Sequence, residues 1–277
     1  MSELVAPTCS VDVNEVLHSF EVRLRTLLGS HFVGMYLSGS LALGDFDPQS
    51  SDIDMVIVTD VELSRDLFAA LHDLHAHFDE SCSPWAAKVE AVYTPPEAPR
   101  HSAPTPAQYP QIEKGRTLFL DHLESGWIFH CYTLREHGVR VAGPDPHTLI
   151  DPVDPDAMRR AAATIAEIWL EQAQHDPGWL TWLHPRKHQA FVVLTLCRLL
   201  YTLDSGTLAS KPAAAQWAQK TLGRRWAVLI ERSRAGRHTS EETLESDANE
   251  TVTFIHYTVE RFRQWDTSPP DEGKSGG

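Results

Sequence analysis

The sequence is poor in cysteine and in positive charge, and it has no long hydrophobic run. Its four cysteines form no C-x-x-C pair and are expected to be reduced thiols in a cytosolic protein. The most apolar stretch, from Ala190 to Tyr201, contains Arg198 and is shorter than the roughly 20 residues of a spanning helix. The first residues lack the basic and apolar regions of a signal peptide. We therefore expect a cytoplasmic protein without a membrane partner.

The charge balance narrows the class of partner. The chain has 24 Lys and Arg against 38 Asp and Glu, a net charge of −14. Such a chain gains little from neutralising phosphates, so a nucleic-acid partner is not expected. It suits a small cationic partner, or an anion held through metal ions. An apolar fraction of 42% and a charged fraction of 22% are close to globular averages, and 277 residues allow one large domain or two small ones.

Hydrophobic periodicity divides the chain near residue 150. Residues 1–150 are predicted to form an α/β domain, in which a small mixed sheet is flanked by helices. Its predicted elements are helices at 11–28, 40–44, 62–78 and 123–137, and strands at 33–37, 53–58, 88–93, 117–120 and 139–141. Residues 151–266 are predicted to form an all-α helical bundle, with helices at 157–174, 188–203, 212–234 and 240–265. The Pro/Gly/Ser-rich residues 267–277 are predicted to be a flexible tail.

Six prolines lie between Pro95 and Pro110. Proline interrupts helix interiors and central strands, because it has no N–H to donate and its ring clashes with the preceding turn. This segment is therefore predicted to be a surface loop that crosses the domain or covers a site.

The segment with the clearest chemistry joins a Gly-Ser turn to a pair of aspartates. Gly39 and Ser40 follow a predicted strand, and the missing Cβ of a glycine lets backbone amides approach an anion. Asp52 and Asp54 are two residues apart on the next strand, so both carboxylates face the same side. Paired carboxylates favour a divalent cation such as Mg²⁺. A phosphate-binding turn beside a dicarboxylate metal site is typical of phosphoryl or nucleotidyl transfer.

A third acid is predicted to join this pair. Glu90 lies in the middle of an otherwise apolar strand, where an unpartnered carboxylate is costly. If that strand lies beside the one that carries Asp54, Glu90 can act as a metal ligand or as a general base.

These residues resemble the motif of the DNA polymerase β superfamily of nucleotidyltransferases, hG[GS] followed by Dh[DE]h. The motif stands here as Leu37 to Ser40 and Asp52 to Met55, eleven residues apart. Within that superfamily the chain is similar to the aminoglycoside adenylyltransferases that modify streptomycin and spectinomycin. The similarity extends over residues 12–262. Its C-terminal part rests on Arg135 to Gly138, Gly143-Pro144, Val193 to Arg198, Ser205 to Lys211, Ala214 to Ala218 and Phe254 to Tyr257.

The resemblance implies roles for individual residues. Asp52 and Asp54 are expected to bind two Mg²⁺ ions, with Glu90 as a further ligand and as the base for the substrate hydroxyl. The expected nucleotide-binding residues are Ser38, Gly39, Ser40, Ser51, Arg198 and Lys211, with ATP as co-substrate. The expected substrate-binding residues are Glu90, Trp179, Trp182, His184 and His188.

One departure from the family leaves the antibiotic open. Streptomycin-modifying members have a Trp and, five residues later, an Asp. Trp179 stands at the first of these positions, and His184 at the second.

The expected activity is ATP-dependent O-adenylylation of such an antibiotic by a monomeric enzyme, leading to antibiotic resistance. Two alternatives stay open. One is a nucleotidyltransferase with a protein, tRNA or metabolite acceptor. The other is a non-catalytic module that only binds nucleotide.

Overall fold

A computed structural model describes residues 7–79, 83–101, 106–243 and 245–266. The chain divides into two compact units, Met1–Ala157 and Met158–Gly277. The predicted tail at 267–277 and Cys82 lie outside the described residues. Cys131 and Cys197 are buried, Cys9 is exposed, and all three are free thiols. Among the helices of the described residues, none combines the length and apolar character that a membrane span requires.

The first unit combines helices and strands, as predicted. Its helices are α1 (Val11–Leu28), α2 (Gly39–Ala42), α3 (Arg65–Asp79), α4 (Glu97–His101), α5 (Trp127–His137) and α6 (Pro146–Leu149). Its strands are β1 (Phe32–Leu37), β2 (Ile53–Thr59), β3 (Val89–Thr94), β4 (Gln108–Ile112), β5 (Phe119–His122) and β6 (Val139–Ala142). Helix α1 begins after Ser10, whose side chain accepts a hydrogen bond from the N–H of Val13, and it ends at Gly29.

The six strands form one mixed sheet in the order β5-β4-β3-β2-β1-β6. Strands β2 and β3 are parallel, and the other neighbouring pairs are antiparallel. In the parallel pair, Asp54 lies opposite Glu90. The predicted acid cluster required these two strands to be neighbours, and β2 and β3 are neighbours.

Each face of this sheet carries its own core. On one face, alternate residues of β1, β2 and β3 pack against α1 and α3; Met35, Ile57 and Leu71 are all fully buried there. On the other face, Tyr36 and Val56 pack against α5 and α6. Because side chains alternate along a strand, Asp54 and Glu90 share the second face with Val56 and Val92. The two acids therefore lie on the face that carries α5.

The proline-rich segment is not a plain loop, so this prediction was wrong. It contains α4, in which Pro99 is buried, and the beginning of β4. A helix of five residues tolerates Pro99, because N–H groups in a first turn have no helical acceptor. Pro110 pairs with Leu120 of β5, whereas β4 pairs with β3 only through Gln111 and Ile112. Because Pro110 has no partner on β3, its missing N–H removes no hydrogen bond between β4 and β3.

The second unit is helical, as predicted. Its helices are α7 (Pro155–His175), α8 (Pro177–Trp182), α9 (Arg186–Ser205), α10 (Lys211–Thr221), α11 (Arg224–Gly236) and α12 (Glu245–Asp266). Helix α9 is central and packs against α10, α11 and α12. The single helix predicted at 212–234 is wrong, because the chain turns at Gly223 with a φ of +88°. This backbone conformation lies outside the helical region and is readily adopted only by glycine.

Candidate active site

The Gly-Ser turn packs directly against one of the aspartates. The N–H of Ser38 donates to the carbonyl of Asp54 at 2.9 Å, which extends the pairing of β1 and β2. Gly39 has a φ of +56°, and a Cβ at this position would overlap the carboxylate oxygen Oδ2 of Asp54. The glycine therefore provides both the left-handed backbone conformation and the space that the carboxylate occupies.

The serines of the motif have different partners. Ser38 is buried, and its hydroxyl is hydrogen-bonded to Nδ1 of His130 on α5 at 3.1 Å. Ser51 accepts a hydrogen bond from the N–H of Asp47 at 3.0 Å and so closes the loop before β2. Ser40 is the second residue of α2, and it is half-buried. The predicted helix at 40–44 is thus a single turn of four residues that begins at Gly39.

Three carboxylates converge at the N-terminal ends of β2 and β3. Asp52 directly precedes β2, Asp54 lies within it, and Glu90 lies opposite Asp54 on β3. Burial, together with the negative charges of Asp54 and Asp52, raises the pKa of Glu90 to about 7. The three acids therefore interact electrostatically.

A lysine that the sequence analysis missed lies against two of these acids. The Nζ of Lys114, in the turn between β4 and β5, donates to Oδ1 of Asp52 at 2.9 Å. The backbone N–H of the same residue donates to Oε1 of Glu90 at 3.3 Å. No local pattern marks Lys114, because it is an exposed residue in a turn and its role depends on the pairing of β4 with β3.

The donor set suits a divalent cation in charge and in chemistry. The repulsion that contributes to the raised pKa of Glu90 is relieved when a cation is shared, and carboxylate oxygens are the ligands that Mg²⁺ prefers. Over the described ranges, however, no three His, Cys, Asp or Glu side chains are already grouped as a metal site. Asp52 is engaged by Lys114. Asp52, Asp54 and Glu90 are thus suitable ligands that still have to be brought together around the ion.

We expect Glu90→Gln to raise thermal stability in alkaline buffer with EDTA, and much less in acid. The pKa of this carboxyl is near 4.5 in the unfolded chain and about 7 in the folded protein, so folding penalises the ionised form. Below pH 4.5 both states hold the proton; the penalty grows as the pH rises and is complete above 7. Differential scanning fluorimetry at pH 5 and pH 8 tests this. An equal gain in Tm at both pH values would contradict the raised pKa.

A cleft of about 260 Å³ opens beside Glu90 on the face that carries α5. Its lining is acidic: besides Asp54 and Glu90, the carboxyl-bearing residues are Glu113, Asp121 and Glu124, and no Lys or Arg is among its lining residues. Trp127 and His130 of α5 also line it, with their rings stacked at 5.8 Å between centroids. This environment suits a cationic group close to Glu90.

In the second unit, most of the predicted site residues gather around α8 and the start of α9. Trp179 and Trp182 of α8 have ring centroids 6.1 Å apart, and Trp182 stacks on His188 at 4.4 Å. The ammonium of Lys211, the first residue of α10, lies 4.1 Å from the ring centroid of Phe191. Phe191 also contacts the ring of Trp182. These side chains therefore form one continuous aromatic cluster with a cation at its side.

His184 and Arg198 lie apart from this stacking. His184 is in the turn between α8 and α9, where its carbonyl accepts hydrogen bonds from the hydroxyl and the N–H of Thr243, at 2.7 and 3.2 Å. Arg198 is half-buried on α9, between the buried Cys197 and Leu199.

Comparison with known families matches both parts of the chain. Residues 22–102 match the model of a nucleotidyltransferase domain. Residues 148–261 match the model of the aminoglycoside adenylyltransferase C-terminal domain.

Relatives align over almost the whole chain. An aminoglycoside (3'') (9) adenylyltransferase of Escherichia coli is 29% identical, and one of Klebsiella pneumoniae is 28% identical; each alignment covers 93% of this chain and 96% of the relative. A spectinomycin 9-adenylyltransferase of Staphylococcus aureus is 24% identical over 80% of this chain and 84% of its own.

A solved structure shares the fold. The crystal structure of the spectinomycin adenyltransferase AAD(9) from Enterococcus faecialis, with ATP and spectinomycin, superposes with a TM-score of 0.66 at 18% identity. The alignment covers 90% of this chain and 98% of the other. The predicted fold class is confirmed.

The mixed sheet, the glycine turn and the matching domain model define the chain as a nucleotidyltransferase, an enzyme that transfers a nucleotidyl group. The model of the C-terminal domain and the relatives that span the length of the chain indicate a narrower group. That group is the aminoglycoside adenylyltransferases, to which the chain is similar over almost its whole length, and this confirms the resemblance seen in the sequence.

Proposed function

We propose that this enzyme transfers AMP from ATP to a hydroxyl group of an aminoglycoside or aminocyclitol antibiotic, such as spectinomycin or streptomycin, and releases pyrophosphate. The names of the relatives and their near-complete coverage of the chain support this reaction. The modified antibiotic would no longer act on the cell, which would then be resistant. The need for ATP favours a cytoplasmic enzyme, and we propose that it acts as a monomer.

The observation that carries the proposal is the convergence of three acids beside a glycine turn. Asp52 and Asp54 would hold two Mg²⁺ ions, with Glu90 as a further ligand; the chemistry those ions supply is neutralisation and orientation of the triphosphate. The contact between Gly39 and Asp54 places the turn next to these ligands. Ser38, Gly39, Ser40 and Ser51 would bind the nucleotide on this side.

The chemical step needs one base. The hydroxyl oxygen of the antibiotic forms a bond to the α-phosphorus of ATP, the bond from that phosphorus to the pyrophosphate oxygen breaks, and the hydroxyl proton passes to Glu90. Glu90 lines the cleft beside the proposed metal ligands, so its carboxylate is in a position to accept this proton. Positioning and charge neutralisation supply most of the remaining acceleration.

The two parts of the chain would have different roles in the reaction. We propose that residues 1–150 form the nucleotidyltransferase domain and that residues 151–266 supply cations to the nucleotide and aromatic surface to the antibiotic. Arg198 and Lys211 are the proposed cations for the triphosphate. The neighbouring rings of Trp179, Trp182 and His188, together with His184, are the proposed antibiotic contacts.

The acidic cleft beside Glu90 would hold an ammonium or guanidinium group of the antibiotic. We expect Asp121→Asn combined with Glu124→Gln to raise the KM for the antibiotic about tenfold while kcat changes little, because two exposed charge pairs are lost and the base is retained. Steady-state kinetics at fixed Mg·ATP measure both constants.

The control for that double variant is Asp12→Asn with Glu15→Gln, which removes the same charge from α1. It should leave KM unchanged. A fall in kcat with an unchanged KM in the cleft variant would contradict the assignment of this cleft to the antibiotic.

The proposed function is tested first in cells. A susceptible bacterium that expresses the chain should grow in spectinomycin or streptomycin, whereas cells that express Glu90→Gln should not. Kanamycin and gentamicin serve as further members of the antibiotic panel. If expression protects against none of the four while the purified protein still binds ATP, the acceptor is a protein or a metabolite, and the antibiotic assignment is wrong.

A further inference from the structure

Lys114 provides a positive charge inside the group of acids. Its ammonium lies 2.9 Å from Oδ1 of Asp52, and its backbone N–H reaches Glu90. Lys114 therefore contacts two of the three carboxylates. It lies in the turn between β4 and β5, whereas the acids lie at the starts of β2 and β3.

The turn that carries Lys114 is internally braced. The N–H of Arg116 donates to the carbonyl of Glu113 at 3.0 Å, and the guanidinium of Arg116 pairs with the carboxylate of Glu113 at 2.8 Å. The same guanidinium lies 3.7 Å from the ring centroid of Phe119 on β5. Gly115 has a φ of +73°, which a tight turn requires. These contacts support the turn, and the exposed side chain of Lys114 is a flexible four-carbon chain that can change its conformation.

We propose that Lys114 is an internal competitor for the divalent cation: its ammonium neutralises Asp52 until the cation arrives, and then it has to leave. This inference rests on the proposed metal role of Asp52 and Asp54. A divalent cation binds a carboxylate oxygen at about 2.1 Å, so an ammonium on the same oxygen would meet a double positive charge within a few ångströms. The side chain of Lys114 therefore determines how readily Asp52 joins the metal site.

Competition between Lys114 and the cation would affect whether Asp52 can serve as a metal ligand. While Lys114 is paired with Asp52, the oxygen Oδ1 of Asp52 is held by an ammonium and is not open to a cation. Removal of the ammonium should let Asp52 turn toward Asp54 and Glu90. Lys114 is in this sense a positioning residue, and its effect is on metal affinity.

The test is Mn²⁺ binding to the full-length protein without nucleotide, measured by electron paramagnetic resonance of the free ion. Lys114→Gln should bind Mn²⁺ about three- to tenfold more tightly than the wild type, because an opposing positive charge is gone. Lys114→Arg, which retains the charge, should stay within about twofold of the wild type. Unchanged circular dichroism would show that each variant is folded.

Arg25→Gln is a matched control. Arg25 pairs with Glu21 at 2.8 Å and is 52% exposed, against 2.9 Å and 53% for Lys114. It lies over Phe32, which pairs with Thr59 at the end of β2 opposite to Asp54. Its loss removes one positive charge and one ion pair away from the acids, and it should leave the Mn²⁺ affinity unchanged.

Two results would overturn the inference. If Lys114→Gln binds Mn²⁺ as the wild type does, or more weakly, Lys114 does not compete and the proposed function stands. If neither the wild type nor any variant binds Mn²⁺, even with ATP present, the metal role of the acids fails as well.

Discussion

Glu90→Gln is expected to reduce kcat by about 10²- to 10⁴-fold, the range that a general base contributes. The amide has nearly the shape of the carboxylate but cannot accept the hydroxyl proton at neutral pH. ATP and antibiotic should still bind, because the other contacts proposed for them remain. Pyrophosphate release gives kcat, and equilibrium titration gives the two affinities.

The control for this variant is Glu124→Gln, which removes a carboxylate from the same cleft. It is expected to change KM for the antibiotic more than kcat. A Glu90→Gln enzyme with near-normal turnover would show that another group takes the proton. A variant that loses ATP binding together with turnover would make Glu90 chiefly a metal ligand.

Gly39→Ala is expected to lower kcat by about 100-fold. A Cβ at this position would overlap the carboxylate of Asp54, so either Asp54 or the turn has to move. A displacement of about 1 Å at a reacting centre can cost about this factor. The positive φ adds strain of roughly 1–3 kcal/mol, which lowers the free energy of unfolding.

Gly44→Ala separates these two effects. Gly44 lies in the turn that follows α2 and has a φ of +73°, but a Cβ there would have no atom within 4 Å. Both variants should lose similar stability in chemical denaturation, and only Gly39→Ala should lose most of its turnover. Equal losses of turnover would mean that strain in the loop, rather than displacement of Asp54, causes the effect.

Much of the first unit could be predicted because its signals are local. Val11–Leu28 shows helical periodicity and is followed by Gly29, and Ile53–Thr59 is mostly apolar and β-branched apart from Asp54. The strand that carries Glu90 could also be predicted from its apolar run. Its position beside β2 could only be stated as a condition, because strand order depends on contacts between distant residues.

The errors arise from strand pairing and from a local backbone conformation that the sequence pattern does not show. Pro110 lies in a strand because β3 makes no pair at that position, and the loss of one N–H there costs little. The helix predicted at 212–234 is divided at Gly223. A single glycine does not exclude a helix in a sequence pattern, but here its backbone conformation is not helical. Lys114 gave no signal at all, because its partners are 62 and 24 residues away in the sequence.

The most direct measurement is mass spectrometry of spectinomycin and streptomycin after incubation with the purified enzyme and Mg·ATP. We predict that at least one of them gains the mass of a single AMP moiety, in step with pyrophosphate release, and that Glu90→Gln forms this product at least about 100-fold more slowly. Unmodified antibiotics with intact ATP binding would contradict the central claim. A gain of one phosphoryl group instead of AMP would contradict the reaction class.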